Sequence, residues 1–291
     1  MKIVYFANFG NKGSDDTESH IAHSLSKLGH QVFKIPESNP EFIPKGADLF
    51  LFHKGGPFIN EALRKVDCPK VFWYFDKVWN DRPAWFEKIL PQVDLGFLTD
   101  GDYLESTQNP KLVLLRQGIG ESVQSFGMPI GRRYEGKIAF TGSNYKGREE
   151  FINFLEKEFG NDFRIYNDAF NRDLFDLCAS IPVLVAPSFP STDQYWSSRI
   201  YMVLGSGGFL VHPILQGLVD DGLESGVHYA GYSTPAEMVV AIRYYLDHPK
   251  EREKITKIGY TYVTSNLTYT NRCEFLLKTI KEKLVLPTGL L

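Results

Sequence analysis

The sequence holds three cysteines in 291 residues, Cys68, Cys178 and Cys273, far apart and without any paired spacing. That excludes a disulfide framework and a thiolate zinc site, and leaves core thiols in a reducing compartment. No apolar run approaches the ~18 residues of a membrane span. The opening stretch from Met1 to Asn8 carries no signal-peptide cleavage pattern, so a cytoplasmic chain without a membrane span is expected. An excess of one charge is missing too. With 32 Lys and Arg against 35 Asp and Glu the net charge is −3, too weak a field to draw in nucleic acid or anionic lipid. H-E-x-x-H, C-x-x-C, G-x-S-x-G and G-x-x-x-x-G-K-[ST] do not occur, so zinc hydrolase, dithiol redox, serine hydrolase and P-loop chemistry lack their residues.

What is present is a long chain with ordinary composition, 43% apolar and 23% charged, and an unusual 14% of aromatic residues. The length fits two domains of roughly 140 residues. Short β-rich runs at 2–9, 31–35, 48–53, 70–76, 94–99 and 111–117 alternate with helical patterns at 17–28, 58–66 and 83–90. Such apolar runs, separated by helices, predict a parallel sheet covered on both faces. Periodicity then fails over 118–136, where five glycines and Pro129 mark a linker. It restarts with strands at 137–141, 162–166, 181–186, 208–212 and 227–230, and helices at 147–159, 170–178, 197–204 and 215–223. The end is helical: Thr234-Pro235-Ala236-Glu237 is a capping box with proline at the first helical position, and helices follow to residue 247, over 250–264 and over 271–284.

Two such α/β domains predict a cleft between the carboxyl ends of two sheets, so function is sought in the loops after strands. The first loop runs from Asn8 to Glu18. Gly10 and Gly13 permit close backbone approach, and Asp16 stands at the helix start; it lacks the dinucleotide fingerprint, and helix capping by Ser14 to Thr17 explains it equally well. Asp76 ends an aromatic strand, where it suits proton acceptance or a sugar hydroxyl, with a loop cap as the alternative. Asp100-Gly101-Asp102 reads as turn chemistry.

In the second half, Gly142, Ser143, Tyr145, Lys146 and Arg148 join a strand to a helix and suit a diphosphate over the helix start. Ser197 and Ser198 open another short helix with Arg199 in its first turn, a place where a cation is disfavoured unless it faces an anionic ligand. Among the aromatics most read as core packing, leaving Tyr145, Tyr166, Tyr195 and Trp196 as candidates to stack on a base or sugar. His20 and His23 lack a third ligand and read as packed or surface histidines.

From Gly136 to about Ile280 the chain resembles the group 1 glycosyltransferases, particularly the CgeB-like (spore maturation protein) branch. The resemblance rests on Ile138-Ala139-Phe140-Thr141-Gly142-Ser143, on Ser198-Arg199-Ile200-Tyr201-Met202-Val203-Leu204-Gly205-Ser206-Gly207-Gly208, and on the 233–246 helix with His248-Pro249-Lys250-Glu251-Arg252. It implies a GT-B fold: two Rossmann-like parallel-sheet domains facing a central cleft, an acceptor domain over 1–125, a donor domain over 126–270, and a C-terminal helix over 271–291 packing towards the first. It implies transfer of a sugar from a nucleotide diphosphate sugar such as a UDP-sugar, with neither metal nor further cofactor. Carried onto these positions, Gly142, Ser143, Tyr145, Arg148, Ser197, Ser198 and Arg199 bind the donor. The first half is similar more loosely, through Thr17-Glu18, Leu28-Gly29-His30 and the Tyr74 to Asp76 strand end, so that Gly10 and Gly13 of its first loop fall on the acceptor side and Asp76 and Asp16 stand as acceptor or base candidates. The acceptor stays open among glycan, protein and small molecule.

One departure stands out. Met202 occupies the place where the family carries an acidic residue facing the donor, which leaves a catalytically impaired nucleotide-sugar-binding protein as the second reading. A third makes a modified DNA base the acceptor. The Arg132, Arg133, Lys137, Lys146 and Arg148 cluster permits it, and the interspersed Glu135, Glu149 and Glu150 oppose it.

Overall fold

The computed structural model describes residues 1–9, 16–54, 56–80, 82–142, 147–170, 172–187 and 192–284. The chain divides into two compact units, one comprising residues 1–120 and 269–291 and the other residues 121–268.

The first unit is a six-stranded parallel sheet. Its strands are β1 (Lys2–Ala7), β2 (Gln31–Pro36), β3 (Leu49–Phe52), β4 (Lys70–Tyr74), β5 (Leu95–Leu98) and β6 (Leu112–Leu114), in the order β2-β1-β3-β4-β5-β6. The continuous apolar runs follow from burial of both faces. Ile3, Tyr5, Leu49, Leu51 and Trp73 point into one core, and Val4, Phe6, Phe50, Phe52 and Phe72 into the other. Helices α1 (Thr17–Lys27), α2 (Ile59–Arg64), α3 (Arg82–Ile89) and α4 (Gly101–Thr107) connect the strands.

Helix α4 corrects the turn read at Asp100-Gly101-Asp102. Asp100 is its N-cap, and its carboxylate accepts from the Tyr103 N–H at 3.3 Å.

The second unit carries β7 (Ile138–Thr141), β8 (Phe163–Tyr166), β9 (Val183–Val185), β10 (Leu210–Pro213) and β11 (Ala230–Tyr232), all parallel, in the order β11-β10-β9-β7-β8. Around it lie α5 (Glu149–Phe159), α6 (Arg172–Ser180), α7 (Arg199–Gly205), α8 (Gln216–Asp220), α9 (Pro235–Asp247) and α10 (Pro249–Asn266). The capping box at α9 forms: Thr234 Oγ1 accepts from the Glu237 N–H, and Glu237 reaches back to the Ser233 N–H at 2.7 Å. Within the glycine-rich stretch, the N–H groups of Ile130, Gly131 and Arg132 all donate to the buried carboxylate of Asp176 on α6.

The last helix, α11 (Tyr269–Lys283), belongs to the first unit. Tyr269, Cys273, Leu276 and Ile280 complete the core on the α1 side of the sheet, and the Tyr269 N–H donates to the Ile119 carbonyl at 3.0 Å. Cys178 and Cys273 are buried free thiols, and Cys68 is half-buried.

Candidate functional site

In the second unit β7 is the first strand of its sheet, with β8 added on one side and β9 on the other. Strand order therefore reverses between β7 and β9, and an open α/β sheet leaves a ligand crevice outside its carboxyl ends at that point. Arg199, the first residue of α7, spans it. Its Nη1 donates to the Pro187 carbonyl beyond β9 at 3.3 Å, and its guanidinium lies 5.8 Å from the ring centroid of Phe140 on β7.

Gly142 directly follows β7 with φ +137°, a conformation that favours glycine, and a Cβ there would stand 2.5 Å from Arg199 Nη2. The side chain of Arg148 is buried with its guanidinium 5.4 Å from the same Phe140 ring. The structure thus brings Arg199 together with Gly142 and Arg148, which precede it by 57 and 51 residues. Ser143 and Tyr145, with Lys146, lie outside the described residues.

The two serines before α7 do less capping than their position promised. Ser198 already has helical backbone angles, its side chain caps no N–H, and its hydroxyl instead faces Met202 Sδ at 3.8 Å. Ser197 sits half-buried beside it. The aromatic candidates also change role. Trp196 is 4% exposed and donates its indole N–H to Tyr201 Oη at 2.9 Å, so it is part of the core and offers no face for stacking. The Tyr166 hydroxyl donates to the Glu135 carbonyl, and its ring packs edge-on against Tyr134. Tyr195 closes a tight turn with Thr192.

His212, at the end of β10, escaped the sequence reading. It is fully buried, and its ring Nδ1 donates to the Pro213 carbonyl at 2.9 Å. Burial drives its pKa down to about 4; the Pro213 carbonyl opposes this and the Arg199 charge adds to it. At neutral pH it is an uncharged imidazole, so it does not compete with the arginines for an anion. The available signal was its position at the carboxyl end of a strand.

The corresponding crevice of the first unit lies between β1 and β3. Gly10 and Gly13 fall outside the described residues. Asp16 is the N-cap of α1, accepting from the Ser19 N–H at 2.6 Å. Asp76 is ion-paired with Lys54 and, at 2.6 Å, with Arg82, which also donates to the Tyr74 hydroxyl at 2.9 Å. Burial works to raise its pKa, yet hydrogen bonds and charge from Lys54 and Arg82 outweigh it and hold the carboxyl below its ordinary range.

Beside them His53 is buried between the Tyr5 hydroxyl and the Trp73 carbonyl. Burial lowers its pKa to about 4 against the pull of that carbonyl, with Lys54 adding to the lowering. Lys54, Arg82 and His53 were missed because nothing in their spacing marks them; only the fold gathers them at the strand ends.

One D-x-D triplet occurs in the sequence, Asp100-Gly101-Asp102. Both carboxylates are engaged by Lys77, and Asp100 also accepts from the Val78 N–H at 2.8 Å. Among the described residues no group of three His, Cys, Asp or Glu is arranged to hold a metal ion. In the basic cluster proposed for DNA, Arg132 pairs with Asp168 and Lys137 with Asp162, both at 3.0 Å. No helix among the described residues is long and apolar enough to cross a membrane.

The profile of the glycosyl transferase-like family matches residues 116–278, more than half of the chain. The chain belongs to that family. A search of curated proteins finds no match. Among solved structures this glycosyltransferase-family chain is similar to Anabaena HepE in complex with UDP and glucose, at 12% identity and a TM-score of 0.68 over 97% of this chain and 99% of that one. Sucrose-phosphate synthase from Thermosynechococcus elongatus gives 12% and 0.64 over 97% and 99%. The E. coli trehalose-6-phosphate protein bound with UDP-2-fluoro glucose gives 10% and 0.68 over 98% and 100%. At these identities the likeness speaks to the fold, two parallel α/β domains of GT-B type with a helical C-terminus.

Proposed function

We propose that the chain transfers a hexosyl residue from a UDP-sugar to an acceptor hydroxyl. The observation that carries this reading is Arg199, laid across the β7/β9 crevice against a residue that has to be glycine. A guanidinium fixed there stabilises the diphosphate as it departs, with the buried charge of Arg148 behind it on the Phe140 ring. Two of the similar structures hold UDP with glucose or a fluorinated UDP-glucose, which supports uridine as the base. We read the reaction as metal-independent, since arginines supply the positive charge and Lys77 already engages the D-x-D carboxylates. Within the family we place the chain in the CgeB-like branch on its 198–208 segment.

Isothermal titration with UDP, together with UDP release from UDP-glucose in the presence of acceptor panels, tests the reading. Arg199→Ala is expected to weaken UDP binding by about ten- to a hundredfold. Full affinity in that variant, or no UDP binding by the wild type, would overturn it.

The second reading, a binder with impaired catalysis, has one observation in its favour: a thioether at 202, approached by the Ser198 hydroxyl, where the family carries a carboxylate. It predicts UDP binding without UDP release, and gain of release in Met202→Glu. The DNA-base reading loses its support with Arg132 and Lys137 in ion pairs and Arg148 buried.

A further inference from the structure

The segment that delivers Ser197, Ser198 and Arg199 is held from behind by a polar relay. The indole N–H of Trp196 donates to Tyr201 Oη at 2.9 Å, and the Tyr201 hydroxyl donates to Asp221 Oδ2 at 2.7 Å. Asp221 follows directly on α8 and is tied to α10, whose Tyr262 hydroxyl donates to the Asp221 carbonyl at 3.3 Å. A second tie runs alongside. The Gly217 N–H on α8 donates to the Asp193 carbonyl at 2.9 Å, and the Trp196 ring packs so closely that a Cβ at Gly217 would stand 2.8 Å from it and 2.9 Å from the Asp193 oxygen. Trp196 and Tyr201 are 4% and 1% exposed, so neither reaches a ligand.

A phenylalanine would fill the space at 201 without burying a hydroxyl. Asp221 is half-buried, but the Trp196 and Tyr201 donors are buried, and the linked groups favour one arrangement over its neighbours because a slip takes a buried donor away from its relay partner. One arrangement is what Arg199 needs. Two residues before Tyr201 on the same helix, it fits between the Pro187 carbonyl and a bare Gly142, and a shift of about 1 Å would break that fit.

We propose that the Trp196–Tyr201–Asp221 relay, clamped by Gly217, is a positioning device for the donor diphosphate, so that nucleotide affinity depends on a hydroxyl that touches no ligand. The inference rests on Arg199 being the diphosphate residue.

The test combines hydrogen exchange on the ligand-free full chain with UDP titration and steady-state kinetics with UDP-glucose. Tyr201→Phe and, independently, Gly217→Ala are expected to speed exchange over residues 192–199. They should raise the UDP Kd and the UDP-glucose KM about five- to tenfold while leaving kcat within about twofold. Asp221→Asn keeps an acceptor for the Tyr201 hydroxyl and is expected to stay within about twofold of wild type throughout. Ile242→Val, in the core on the other sheet face, lowers stability without moving Kd or KM. Unchanged exchange over 192–199 in both Tyr201→Phe and Gly217→Ala would overturn the proposal, and so would faster exchange with an unaltered UDP Kd. A wild type that binds no UDP would sink the donor reading, and exchange alone would then decide whether the relay braces the segment.

Discussion

The guanidinium of Arg199 occupies the space that a side chain on Gly142 would need: an added Cβ would lie 2.5 Å from Nη2, 2.8 Å from Cζ and 3.0 Å from Nε. Two residues 57 positions apart are thereby coupled at the point where the sheet order reverses. Neither is explained by its own element. Gly142 is one residue past a strand, and an arginine opening a helix works against the helix dipole.

Gly142→Ala is therefore expected to act through Arg199. The new methyl forces the guanidinium away from the Pro187 carbonyl, and the positive φ adds strain of about 1–2 kcal/mol. UDP affinity should fall at least tenfold in a chain that still melts cooperatively, and titration with a parallel thermal melt measures both. An alanine variant with wild-type affinity would show that Arg199 does not need this space.

Asp76 makes a poor general base, because a carboxylate held below its ordinary pKa by Lys54 and Arg82 has little drive to accept a proton at neutral pH. Asp76→Asn is expected to lower kcat by no more than about tenfold, uniformly from pH 6 to 9, through loosening of the Lys54 and Arg82 side chains. A loss near a thousandfold with an altered pH profile would instead make Asp76 the catalytic group.

Much of this fold is legible in the sequence for one physical reason. Strands buried on both faces write themselves as unbroken apolar runs, as Leu49-Phe50-Leu51-Phe52 does with all four residues buried. Helix α4 was not legible because its Asp-Gly-Asp start is also a turn signature and its only buried residue is Gly101. The crevice between β7 and β9 was partly legible: Gly142, Arg148 and Arg199 carry their own signals, and the fold joins them. Trp196 and His212 show the limit. An aromatic beside a glycine-rich segment looks the same in sequence whether it faces a ligand or closes a relay, and a histidine at a strand end says nothing of its burial.

Asp176 anchors the glycine-rich stretch. Its carboxylate accepts from three consecutive N–H groups, at 2.9 Å from Ile130, 3.1 Å from Gly131 and 2.9 Å from Arg132. Burial acts to raise its pKa, and the three donors hold it below the ordinary value. Asp176→Ala leaves those donors without a partner and is expected to cost about 3 kcal/mol, with Asp176→Asn costing less. Limited proteolysis should cut near residues 126–133 in the alanine variant first. Equal resistance of both variants and wild type would show that the anchor is dispensable.

Each unit also contains a histidine kept neutral by burial, His53 in the first and His212 in the second, both with pKa values lowered to about 4. In the unfolded chain both titrate near 6.5, so as the pH falls below that value the unfolded state takes up protons that the folded state refuses. Stability is therefore full above about pH 6.5 and declines towards pH 4, by about 3 kcal/mol for each histidine. His30 and His228, also lowered, reinforce the direction. Thermal melts between pH 7.5 and 4.5 are expected to show a falling Tm, and His53→Gln and His212→Gln should each flatten part of that slope, whatever they do to stability at pH 7.5. A Tm that holds constant or rises on acidification would mean that the imidazoles reach solvent and protonate in the folded chain, and the neutral setting proposed for Arg199 would fall with it.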